Sequence, residues 1–195
     1  MNYSDFTTIA KVQKTFGIIQ QKKPLFPLSN PVEPSLRLQE AMQDAQKIAI
    51  STEKAKSEFI IAPILIEVWR NAKERINLFS GVQLWVESAN LNGFCDFIIS
   101  KNAFTYELQT PILCLVEAKN RTLEEGLGQC AAEMYAAQIL NIQEQNDILI
   151  IYGCVSNGYE WLFLQLENNV LSIDNQRLYL NEIPKILGIF KDIIN

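Results

Sequence analysis

The chain has 195 residues, and 17 basic against 22 acidic side chains give a formal charge of −5. Apolar residues at 48% and charged residues at 20% describe a chain that buries a core, which excludes intrinsic disorder. There is no histidine, so Ser-His-Asp and Cys-His nucleophiles, HExxH metalloproteases and imidazole-held metals are excluded. Any chemistry must run on carboxylates, lysine, hydroxyls or thiols.

Residues 1–34 form the first expected unit, an N-terminal arm with a proline-rich connector. Pro24, Pro27, Pro31 and Pro34 leave residues 24–35 neither helical nor paired. The main domain, 35–195, begins with a helix capped by Ser35. A second helix runs from Ser51 or Thr52 to about Arg75 and is kinked at Pro63. From Val82 the period changes to two, which predicts a strand through Val86. Asn92-Gly93 marks a turn into a second strand, FCDFIIS, and a looser turn region at 101–111 leads to a third, ILCLVEAK. Residues 122–141 are Ala- and Leu-rich and helical. Strands follow at 148–153, 159–167 and 170–173, with a turn at Asn157-Gly158 and a terminal helix at 181–193. The order predicts an α/β domain, a mixed central sheet flanked by helices on both faces. No GxGxxG or GxxxxGK[ST] loop is present, so those two modes of nucleotide binding are excluded.

Cys95, Cys114, Cys130 and Cys154 contain no CxxC pair and each lies in an apolar run, as free buried thiols do. The N-terminus lacks the apolar core of a signal peptide, and no run approaches the ~20 apolar residues of a membrane helix. A reduced, cytoplasmic protein with no membrane partner is expected. Charge is uneven: residues 1–80 carry a net +3 and residues 81–195 a net −8. Lys11, Lys14, Lys22 and Lys23 on the arm, and Lys54 and Lys56 on the second helix, are the expected phosphate contacts.

Three charged residues interrupt apolar strands: Asp96 in the second, Glu117 and Lys119 at the end of the third. Alternation puts Leu113, Leu115, Glu117 and Lys119 on one face. An antiparallel hairpin centred near residue 106 brings Asp96 opposite Glu117. Two carboxylates and an ammonium then converge, an oxygen-rich setting suited to Mg²⁺. An ExK triplet alone recurs in roughly half of chains this long by chance, and as a solvated strand end it would be a weak ion pair. Charged groups rarely enter such apolar strands unless paired or metal-bound, which lowers the weight of that bland reading.

Gly93-Phe94-Cys95-Asp96, a hairpin, then Glu117-Ala118-Lys119 and a helix bearing Gln129 resemble the PD-(D/E)XK nuclease superfamily. The resemblance covers about residues 50–155. Cys95 stands where that family often has Pro, and Tyr135 falls off the helical face of Gln129. The resemblance implies a restriction-endonuclease-like core and metal-dependent hydrolysis of phosphodiester bonds in nucleic acid, DNA foremost. It implies a Mg²⁺ or Mn²⁺ cofactor held by Asp96, Glu117, the Ala118 carbonyl and Glu58 on the preceding helix. It also implies catalytic roles for Asp96, Glu117, Lys119, Glu58 and Gln129. Glu67 competes with Glu58 for the helix position, and Glu58 also fits a plain surface acid near Lys54. The competing classes are a catalytically silent accessory or protein-interaction module on the same fold, and a structural or oligomer-forming protein for which an exposed apolar 159–167 strand is the relevant feature; a homodimer is a possible partner state.

Overall fold

The computed structural model describes residues 1–102 and 104–195. One seven-stranded mixed sheet runs through the molecule. Its strands are β1 (Ile19–Lys23), β2 (Asn77–Val86), β3 (Leu91–Ser100), β4 (Ile112–Ala118), β5 (Ile150–Ser156), β6 (Glu160–Glu167) and β7 (Val170–Tyr179). The spatial order is β1-β7-β6-β5-β4-β3-β2, with β1–β7 and β4–β5 parallel and the other neighbours antiparallel. β4 is an interior strand buried along its whole length, which is why ILCLVEA is a continuous apolar run and not an alternating one.

Helices cover both faces, as the element order predicts. The helix α5 (Glu124–Gln143) makes the parallel crossover from β4 to β5 and packs on one face with α1 (Ile9–Phe16). On the other face lie α2 (Leu36–Ala45), α3 (Glu53–Lys56), α4 (Ala62–Asn71) and the terminal α6 (Ile183–Ile194). α3 and α4 are joined by a π-helical turn, Ser57–Ile61. Pro63 has no N–H to give the preceding turn, and this widened turn takes up the mismatch, so the expected kink is a π-bulge. The helix ends at Asn71, a turn before Arg75.

Several local expectations need correction. The arm does not stand apart from the core. Tyr3, Phe6, Val12 and Ile18 are buried in the same cluster as α5 and β4, and the Tyr3 hydroxyl donates to the Leu84 carbonyl at 3.0 Å. Residues 19–23, which look like a polar linker, form edge strand β1. The connector is extended as predicted, but it is packed: the Phe26 ring sits 5.7 Å from that of Tyr152, and Val32 donates to Pro184 across α6. The turn before β3 is at Glu87–Ala89, closed by Asn90 at φ 51°, while Asn92 and Gly93 lie within the strand. β2 and β7 are longer than their alternating segments suggest. β6 is an interior strand with its apolar side chains buried, so it offers no exposed surface for a second copy. The expected turn region at 101–111 lies between β3 and β4, with residue 103 outside the described residues.

One irregularity positions the site. The pairs Ser80–Phe97 and Val82–Cys95 flank Gly81 and Asp96. Strict alternation would set Phe79 and Val82 on opposite faces, yet both pack with the α5 cluster, as do Cys95 and Ile98. Both strands therefore change face here without losing register. Gly81, at φ 64°, supplies the left-handed backbone that this change requires.

Candidate active site

The hairpin register brings the expected residues together. Phe97 pairs with Val116 and Ile98 with Leu115, so Asp96 comes opposite Glu117 one position beyond. Leu113 departs from the predicted face. The register shifts between Ile99 and Ser100, and Leu113 packs into the cluster opposite α5.

Asp96 Oδ2 accepts from the Ala118 N–H at 2.7 Å, which fixes its carboxylate against the end of β4. Ala118 contributes backbone only, since its methyl is buried on the opposite face. Lys119 donates to Glu117 Oε1 in a close ion pair and to Gln129 Oε1 at 3.3 Å. Gln129 Nε2 in turn donates to Glu133 Oε1 at 3.1 Å. Gly126 lets α5 approach this closely: a Cβ there would meet Val155 Cγ1 at 2.6 Å and Lys119 Cγ at 3.0 Å.

Glu117 and Glu133 are 1% and 0% exposed, and the Oε2 of each finds no donor among the described residues. Burial, aided by the nearby Asp96 charge, pushes the Glu117 carboxyl up to about 8. Burial raises Glu133 well above the carboxylate range, and the charge of Glu117 adds to the effect. Asp96 is raised by burial too, against the pull of the Ala118 N–H and of Lys119. Burial works against the Lys119 charge, but Glu117 foremost, then Glu53 and Asp96, outweigh it and hold the ammonium above the usual lysine range. One cation thus serves three crowded carboxyl groups.

The other sequence candidates lie elsewhere. Glu58, half exposed on the π-turn, is 3.7 Å from Lys54 and has no polar contact with this group among the described residues. Glu67 is buried, and its carboxylate accepts from the Ser35 N–H at 2.8 Å and hydroxyl at 2.9 Å, tying α4 to the start of α2. That is a structural role. Glu133 is the member that sequence reasoning passed over, although an acid in CAAEMYAA four residues after Gln129 is a legible signal. Lys56 donates to the Asn120 carbonyl, and its ammonium lies 5.6 Å from the Tyr159 ring centroid, which holds the loop after β4.

Among the described residues no three Cys, Asp or Glu side chains form a group able to hold a metal ion unaided. A Mg²⁺ that takes one or two carboxylates and keeps its waters is a different matter. The unpartnered Glu117 oxygen and the shortage of positive charge fit such an ion.

No family model matches the chain, and no curated protein matches it. The cryo-electron microscopy structure of a DrdV–DNA complex aligns with a TM-score of 0.48 at 11% identity, over 82% of this chain and 13% of that one. The chain therefore spans a small part of that protein's length. Among the described residues no helix is long and apolar enough to cross a membrane.

Proposed function

We propose that this chain is a metal-dependent nuclease that hydrolyses phosphodiester bonds of nucleic acid, DNA foremost, with Asp96, Glu117 and Lys119 as its working groups. The observation that supports the reading is a pair of carboxyl groups, Asp96 partly buried and Glu117 fully, opposed across β3 and β4, with the Lys119 ammonium paired to Glu117. Asp96 and Glu117, with the Ala118 carbonyl, are the groups that would hold Mg²⁺. Bound there, the ion would supply Lewis acidity at the phosphoryl oxygen and a lowered pKa for its water.

The chain's own residues do the rest. The Ala118 N–H orients Asp96 before any ligand arrives by holding its Oδ2. Glu117 supplies a carboxyl group at the floor of the site, which would give up its proton to hold the ion. Lys119 carries the ammonium that orients the attacking water and offsets negative charge growing on the phosphoryl group. Gln129 accepts from that ammonium and restricts its direction. Glu58 takes no part in this scheme.

The acidity of residues 81–195 favours a second reading, a metal-free accessory module on the same fold. Calorimetric titration with Mn²⁺ separates them. Wild type should bind with a measurable heat, and Asp96→Asn should weaken binding by about tenfold or more. Negligible, indistinguishable heats in both proteins would overturn the metal site and leave the accessory reading.

A further inference from the structure

We infer that Glu133 is a positioning residue: through the Gln129 amide it fixes where the Lys119 ammonium points. It sits mid-helix in α5, among Cys130, Ala131, Ala132, Met134, Ala136 and Ala137, all buried. A fully buried carboxyl group in such company is costly unless something uses it. Its carboxylate accepts from Gln129 Nε2 and lies against the side chains of Glu117 and Cys95, and it belongs to no metal-holding group among the described residues.

The chemistry of the amide explains the arrangement. A glutamine can face either way, and its neighbours decide. Lys119 has only hydrogens to give and needs the Gln129 oxygen. Glu133 presents an acceptor oxygen in either protonation state and takes the Gln129 N–H₂. Only one orientation of Gln129 serves both neighbours. Without the Glu133 acceptor the amide is free to turn, and its N–H₂ would then face an ammonium. Lys119 is left with Glu117 alone, a contact that draws it toward the site floor. The consequence for cleavage rests on the nuclease reading; the positioning itself does not.

The test therefore begins with a readout that needs no cleavage. The full chain is acylated with an N-hydroxysuccinimide ester, and Lys119 modification is followed by peptide mass spectrometry with exposed Lys54 as the internal reference. Glu133→Met and Gln129→Met should each raise Lys119 labelling about tenfold, the size of a lost hydrogen bond to a charged group. The double variant should show no more than either single one, because both break one chain of contacts. Glu133→Gln, which keeps an acceptor oxygen, should stay near wild type. Unchanged labelling in Glu133→Met, additive effects, or labelling in Glu133→Gln as high as in Gln129→Met would overturn the inference. If Glu133→Met labels every lysine, its fold is lost, and the comparison of Glu133→Gln with Gln129→Met decides alone. Where wild type cleaves DNA, Glu133→Met should lower kcat about tenfold with KM unchanged, and Glu133→Gln should not. The labelling pattern without cleavage in wild type would retain the positioning role and remove the nuclease reading.

Discussion

Glu117 is where structure and chemistry meet most closely. Its carboxyl is ordinary in the unfolded chain, near 4.5, and is held up to about 8 in the fold. Between those values the folded protein keeps a proton that the unfolded chain has released, so without metal the stability from this group is present below pH 4.5 and is lost as pH rises through 8. Asp96 and Glu133 are raised as well and push the same way. In EDTA the melting temperature should fall from pH 5 to pH 9, by an amount on the order of a few kcal/mol in stability. Glu117→Gln should flatten that slope, because an amide has no proton to lose. A wild-type melting temperature that holds or rises over this range would contradict the burial and charge crowding described here.

At the scale of elements, the N-terminal segment behaves as part of the core. Tyr3, Phe6, Val12 and Ile18 are fully or nearly fully buried, and each contributes roughly 1.5–3 kcal/mol. Together they rival the ~5–15 kcal/mol that holds a typical domain folded. A chain lacking residues 1–34 should therefore fail to fold cooperatively, and Phe6→Ala alone should cost about 3–5 kcal/mol in chemical denaturation. A truncated chain that melts like wild type would show that the segment only decorates the surface. Sequence reading missed this because IQQKK in β1 is polar and four of its five residues are exposed; nothing in it alternates. Edge strands often look this way, with lysines that discourage further pairing. The opposite case is β4, whose apolar run, terminal acid and following helix were legible at once. The hairpin register was legible too, since Asp96 and Glu117 are equidistant from a turn near residue 106. The face change at Gly81 and Asp96 was not, because it depends on a left-handed backbone that the residue type permits but does not announce.

Across the whole molecule, seven strands carry the two halves of a polarised chain. β1, with Lys22 and Lys23, lies four strand spacings from β4, about 19 Å at ~4.8 Å each. That is too far for those lysines to touch a phosphate that the proposal places at Lys119. The nearer Lys56 is already engaged with the Asn120 carbonyl and the Tyr159 ring. The sequence pattern thus identified the carboxylates, the lysine and Gln129 of the candidate site, while Glu133, on the same following helix, was passed over because it reads as one acid in an Ala-rich run. The central claim is that these groups break phosphodiester bonds. It is tested most directly by incubating end-labelled duplex DNA, single-stranded DNA and RNA with wild type and Lys119→Ala, each in Mg²⁺ and in EDTA. Wild type should cleave at least one of the three in Mg²⁺ and none in EDTA, and Lys119→Ala should be slower by about 100-fold or more. Absence of cleavage by wild type on all three, or equal rates with and without the Lys119 ammonium, would contradict it.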